Sequence, residues 1–215
     1  MDEIVARAMQ KWPNVPDVYG WLRLDRRGHW WLKSGSVRAP AATGEPPLGA
    51  APGTQATPVF ERITNPGVVE FIGRNYTHDE RGRWFFQNGP QRVFVRPDYL
   101  PLVYRLDAGA LIAHTGVAAG PPTGAWLDEQ GALVVAATLG PGLLYDRDLA
   151  DIADGFVDSR GAAVADELLA HAVRDDLLVT LAGVRLPVQS LVAADIAARF
   201  GFDPAPAPPP GQPDC

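Results

Sequence analysis

The sequence predicts an α+β fold: two tandem, similar units, each a hairpin, a helix and further antiparallel strands, with added helices at the N- and C-terminal ends. Three observations predict it. Four segments, Asp25-Arg26-Arg27-Gly28, Asp79-Glu80-Arg81-Gly82, Asp128-Glu129-Gln130-Gly131 and Asp158-Ser159-Arg160-Gly161, have the chemistry of a tight turn. In such a turn Asp bonds forward to the backbone and Gly takes the left-handed conformation that closes it. Three of them lie between strand-like apolar runs, as hairpin turns with a bulge do. Each half then carries a helix signal after its first hairpin, and the order hairpin, helix, Asp-x-x-Gly recurs over roughly 20–108 and 124–186.

Taken in order, residues 1–19 hold an amphipathic helix over 2–12, with Ile4, Val5, Ala8 and Trp12 on one side and Pro13 as its stop. The first unit spans 20–108. Trp21-Leu22-Arg23-Leu24 enters its first turn and Trp30-Trp31-Leu32 leaves it. Residues 34–58, rich in Ala, Gly, Pro, Ser and Thr without apolar periodicity, read as a long flexible loop. Asn65-Pro66 is an N-cap followed by proline at the first helical position, and Val68, Phe71 and Ile72 give that helix one apolar face. Trp84-Phe85-Phe86 and Arg92-Val93-Phe94-Val95-Arg96 are strands around the turn Asn88-Gly89-Pro90.

The second unit, 109–202, takes in a C-terminal helix. Trp126-Leu127 and Leu133-Val134-Val135 flank its first turn, and Asp146 is expected to cap a helix bearing Leu149, Ile152 and Phe156. The carboxylates Asp146, Asp148, Asp151 and Asp154 read as a solvated helix face. Residues 162–173 suggest another helix, and Leu191 to Phe200 a last one that ends at Gly201. Leu178-Val179-Thr180-Leu181-Ala182-Gly183 echoes Leu102 to Gly109. The tail, 203–215, is Pro-rich and reads as extended or disordered.

Composition narrows the function class. No apolar run of the 215 residues reaches membrane-spanning length, and the acidic start Met1-Asp2-Glu3 is not that of a secretory signal, so a cytoplasmic location is expected. Cys215 stands alone, which rules out a disulfide within one chain. Only two of the nineteen basic residues are Lys, which with abundant Ala, Gly and Pro suggests a GC-rich bacterial genome. Net charge is −6, divided as +3 over residues 1–108 and −9 over 109–215, and fourteen of nineteen aromatics lie in the first half. The overall charge argues against a broad nucleic-acid footprint, whereas the basic, aromatic half would suit a small anion.

Asp25-x-x-Gly28-x-Trp30, the apolar helix, Gly82-x-Trp84-Phe85 and Val93-x-Val95-x-x-Asp98-x-x-Pro101-Leu102-Val103 resemble a proteobacterial family catalogued as a domain of unknown function. Its members are built from repeated structural motifs. The resemblance covers about residues 20–105 and implies a role in signal transduction through a small ligand. It supplies no catalytic residues.

The chemical inventory is thin. His29, His78, His114 and His171 show no zinc spacing, so no metal or other cofactor is expected. His114 is expected to be an exposed or hydrogen-bonded edge residue. The best site candidates are Arg74, Asn75 and His78 at the end of the first helix, with Trp84, Phe86, Asn88 and Arg92 from the next hairpin. Arginine beside tryptophan suits a planar anion, although Trp84 and Phe86 on one face and Phe85 on the other also read as core. The reading is a regulatory or signalling module that binds a small anionic ligand or a protein partner. The alternatives are a hydrolase using His78 and nearby carboxylates, and a weak nucleotide or single-strand binder.

Overall fold

All four expected turns form, in one geometry. In a computed structural model that describes residues 1–37, 57–164 and 176–211, one oxygen of each Asp accepts the N–H groups two and four residues on. These are Arg27 and His29 for Asp25 (2.8 and 2.9 Å), Arg81 and Arg83 for Asp79 (3.0 and 3.1 Å), Gln130 and Ala132 for Asp128 (2.9 and 2.7 Å), and Arg160 and Ala162 for Asp158 (both 2.9 Å). Each Gly donates its N–H back to the Asp carbonyl at 2.9–3.1 Å. The glycine φ angles are +80°, +72°, +80° and +84°, a region that Cβ-bearing residues enter at a cost. A fifth Asp-x-x-Gly, Asp17 to Gly20, runs into a strand and makes no such turn.

The first sheet contains β1 (Val18–Leu24), β2 (Trp30–Val37), β3 (Thr57–Arg62), β4 (Tyr76–His78), β5 (Trp84–Asn88) and β6 (Gln91–Pro97) in the order β3-β2-β1-β6-β5-β4. Its β1–β6 pair is parallel and the other pairs are antiparallel. The chain then passes to a second sheet built from β7 (Val103–Asp107), β8 (Ala110–Ala113), β9 (Pro122–Asp128), β10 (Leu133–Ala137), β11 (Gly140–Leu144), β12 (Phe156–Val157), β13 (Leu178–Leu181) and β14 (Val184–Leu191). Its order is β12-β13-β14-β9-β10-β11-β7-β8. From β11 to β12 the succession is β11-β10-β9-β14-β13-β12, with the parallel β9–β14 pair in the place of β1–β6. The β7–β8 hairpin adds to the edge beyond β11 and spans the expected boundary at 108/109.

Helix α1 (Glu3–Lys11) forms as expected; of its apolar side only Val5 is buried, and Ile4 and Trp12 are exposed. Helix α2 (Pro66–Arg74) has its N-cap: the Asn65 side chain accepts the Val68 N–H at 3.2 Å. It packs on the first sheet over Leu22, Leu24, Trp30, Phe86 and Val95. On the opposite face of the sheet Tyr19, Phe85 and Phe94 form a small second layer. The second sheet has the larger core, and a further cluster of Leu100, Val134, Leu143, Leu191, Ile196 and Phe202 lies at helix α3 (Ile196–Phe200).

Four expectations need correction. Asp146 caps nothing: residues Asp146–Gly155 form a 3-10 helix with Tyr145 at the cap position and no side-chain cap bond. Nor is the acidic run simply a solvated face. Asp146 pairs with Arg27 at 2.7 Å, and Asp148, only 5% exposed, accepts the Leu106 N–H at 2.7 Å. Long-range partners hold carboxylates that a cap would have used. Second, the ends of the expected 34–58 loop are strand, since Ser36 pairs with Pro58 and Val37 with Thr57; residues 38–56 lie outside the described residues. Third, of the expected 162–173 helix, Ala163 bridges Val157 in extended form, and 165–175 lie outside the described residues. Fourth, the Leu102–Gly109 echo is local. Ala108-Gly109 and Ala182-Gly183 make the same turn with φ positive at both positions, but β13–β14 occupies the place that β5–β6 holds in the first sheet.

The C-terminal helix ends as expected, in a left-handed Gly201 (φ 68°). Beyond it Phe202 is buried, and the Asp203 N–H donates to the Gly82 carbonyl at 3.0 Å. The start of the tail is therefore fixed to the second turn of the first sheet. A Cβ on Gly82 would lie 2.2 Å from the Gly201 carbonyl oxygen, whereas one on Gly131 would meet nothing within 4 Å. Gly131→Ala is expected to cost about 1 kcal/mol, from backbone strain alone. Gly82→Ala is expected to cost about 3 kcal/mol, because backbone must also move. Urea unfolding of the two variants measures the difference.

Candidate functional site

Helix α2 ends by delivering three neighbouring groups to the junction of the two sheets. Gly73 permits it: a Cβ there would lie 3.2 Å from the Thr115 backbone, so the helix end rests directly on the segment after β8. Asn75 terminates the helix and is buried, its Nδ2 donating to the Phe71 carbonyl at 2.9 Å and its Oδ1 accepting the Asp2 N–H at 2.7 Å. Strand β4 follows, where the Tyr76 hydroxyl donates to the Pro101 carbonyl at 3.0 Å and burial pushes its pKa well up. His78 faces Trp84 across the β4–β5 pair with ring centroids 4.9 Å apart, and Tyr76 lies 4.8 Å from the same indole.

The result is a cleft of about 210 Å³ lined by Arg74, Tyr76, His78, Trp84, Leu102 and Thr115, among others. Arg74 is exposed and reaches Asp2 of the N-terminal segment at 3.2–3.4 Å and Glu70 at 3.7 Å. The Arg74 hydrogen bonds hold the Asp2 carboxyl below its usual range. His78 stands exposed, its Nδ1 within 3.0 Å of the Asp79 carbonyl, which fixes Nδ1 as the donor.

Of the seven candidates, Arg74, His78 and Trp84 come together. Asn75 and Phe86 are buried, Phe86 against Phe71 with centroids 5.5 Å apart. Asn88 is exposed at the other end of β5, and Arg92 lies 4.9 Å over the Phe85 ring on the opposite face. Asp79 does not pair with His78. Its carboxylate holds the turn and binds Arg83 at 2.7–2.8 Å. Burial works against the charge of Asp79, but Arg83 and the turn N–H groups outweigh it and the carboxyl titrates low. No group of three or more His, Cys, Asp or Glu side chains is placed for a metal among the described residues.

Of the two alternatives expected for His114, exposed or hydrogen-bonded at an edge, the structure shows the second, just past the edge strand β8. The His114 ring is enclosed beside Trp30 (5.1 Å) and Tyr76 (5.7 Å), and its Nδ1 accepts the Val103 N–H at 3.3 Å. Its Nε2 and Trp30 Nε1 are buried without a hydrogen-bond partner among the described residues. Gly28 of the first turn sits against it, since a Cβ there would be 2.6 Å from His114 Cβ. No sequence signal marks this histidine, because everything around it is distant in the chain.

These features define an α+β protein of two sheets with a small aromatic and cationic cleft at their junction. The chain belongs to the family described as protein of unknown function (DUF2946), whose profile matches residues 1–207. No curated protein matches it. The chain is also similar to the crystal structure of a DUF1285 family protein from Silicibacter pomeroyi DSS-3, with 16% identity and a TM-score of 0.46 over 89% of this chain and 97% of that one.

Burial pushes the His114 pKa down to about 3, so the folded protein keeps this ring neutral where an unfolded chain protonates it near 6.5. The unfolded state binds the extra proton, and its share of stability falls with decreasing pH by about 1.4 kcal/mol per unit below 6.5. His114→Asn is expected to flatten the stability profile between pH 6.5 and 4.5 by that slope, as read from urea midpoints at each pH.

Proposed function

We propose that this protein is a non-enzymatic regulatory module that binds a small planar acid in the cleft of Arg74, His78 and Trp84. The observation that carries the reading is the convergence of those three side chains, from the end of α2 and from β4–β5, on one space of about 210 Å³. That volume is below the range usual for drug-sized ligands and suits a single ring with an acidic substituent. The ring stacks on Trp84, His78 Nε2 supplies a polar contact, and the acid group takes Arg74. Asp2 holds Arg74 at 3.2–3.4 Å, longer than a tight charge-assisted bond, and is the group that the ligand replaces. Displacing Asp2 loosens α1, whose exposed Ile4 and Trp12 then carry the signal to a protein partner.

The hydrolase alternative needs a carboxylate on His78, and the engagement of Asp79 elsewhere supports the module instead. A bacterial, cytoplasmic setting belongs to the same proposal; among the described residues no helix is long and apolar enough to cross a membrane. Descent of both sheets from one duplicated unit is likewise proposed, supported by their shared strand order and their common turns.

Benzoate and neutral benzamide are the probes, followed by tryptophan fluorescence. Benzoate is expected to bind the parent protein, benzamide more weakly, and Arg74→Gln to weaken benzoate about tenfold or more, as losing a charged hydrogen bond does. Benzoate affinity that is the same in parent and Arg74→Gln would remove the reading.

A further inference from the structure

A second cleft lies where the first and third Asp turns meet, between β1–β2 of one sheet and β9–β10 of the other. It holds about 320 Å³ and is floored by Ala132, Leu143, Leu144 and Leu149. Its rim is polar and charged, with Arg26 and Arg27 from the first turn, Gln130 from the third and Asp146 from the start of the 3-10 helix.

The two arginines are held differently. Arg27 directs Nε (3.1 Å) and Nη2 (2.7 Å) to one oxygen of Asp146, so its charge is compensated. Arg26 instead lies 4.1 Å over the Tyr99 ring, and the Tyr99 hydroxyl donates to Asp128 of the third turn. A guanidinium fixed by its face keeps its N–H edge for another partner. Among the described residues no hydrogen bond or ion pair engages the Arg26 side chain. Among the lining side chains Arg26, Arg27 and Asp146 leave one net positive charge, and the Arg26 donor fork stands with the Gln130 amide above a floor of apolar side chains.

We propose that this cleft is a binding site for a monocarboxylate with an aliphatic body, its carboxylate taken by Arg26 and its chain laid on the leucines. One net positive charge suits a monoanion, and Asp146 opposes a second negative charge on the ligand. The leucine floor gains from burial of methylene groups and offers nothing to a polar body. The site uses none of the residues of the Arg74 cleft, so each can be tested without the other.

Isothermal titration with octanoate tests it, with octanamide as the neutral analogue and octyl phosphate as the dianion. Octanoate is expected to bind the parent at least tenfold more tightly than octanamide and more tightly than octyl phosphate. Arg26→Gln, a change at an exposed position, is expected to weaken octanoate at least tenfold while leaving benzoate binding unchanged. The proposal is overturned if the parent gives no saturable heat with millimolar octanoate, if octyl phosphate binds more tightly than octanoate, or if octanoate affinity is the same in Arg26→Gln.

Discussion

An aspartate carboxylate that accepts two backbone N–H groups at a chain reversal is the constraint on which both sheets depend. It satisfies donors that the bulged turn would otherwise leave open, and it fixes which residues face each other across the following strands. At Asp25, Asp79 and Asp128 the second oxygen does separate work. Asp25 takes the Trp31 indole N–H at 2.8 Å, Asp79 takes Arg83, and Asp128 takes the Tyr99 hydroxyl. Asp25 and Asp79 thus brace the strand that leaves their own turn, while Asp128 joins its local bend to a tertiary tether twenty-nine residues away. The Asp25 carboxyl, like that of Asp79, titrates low because these bonds outweigh its burial. Their contribution is full above the ordinary carboxylate range and is lost as pH falls below it through their depressed folded values.

The same turns form the joint between the sheets. Gly28 rests on His114, Arg27 reaches Asp146, and Tyr99 bridges from Asp128 to Arg26. The connecting stretch is drawn in as well, with the Asp98 N–H donating to the Leu24 carbonyl at 2.9 Å and Leu100 and Leu102 buried. Both clefts lie along this joint, where neither sheet alone supplies a complete wall. Sites between packed units are common for this reason: two separately folded surfaces leave space that side chains from either can line.

What could be read in advance divides by chain distance. The turns were legible because their bonds reach only two to four residues, and α2 because Asn65-Pro66 states its own beginning. Arg74, His78 and Trp84 were legible as a group because a helix end and a short hairpin keep them near. Asn88 and Arg92 were grouped with them only by closeness in the chain, and β5 carries them to its far end and opposite face. The stretch from Asp146 was misread because its carboxylates answer to Arg27 and Leu106, more than forty residues away. His114 and the Arg26 cleft had no local mark, since Gly28, Tyr99 and Asp128 are what give them their surroundings.

The contact of Gly82 with Gly201 and Asp203 sets a schedule for biosynthesis. The first sheet can pair its strands once β6 has emerged from the ribosome, but the turn at Asp79 stays uncovered until more than a hundred further residues have been made. During that interval the Gly82 carbonyl lacks the Asp203 N–H and the Gly201 backbone that later cover it. Completion comes only when the last helix folds back onto the half that was translated first.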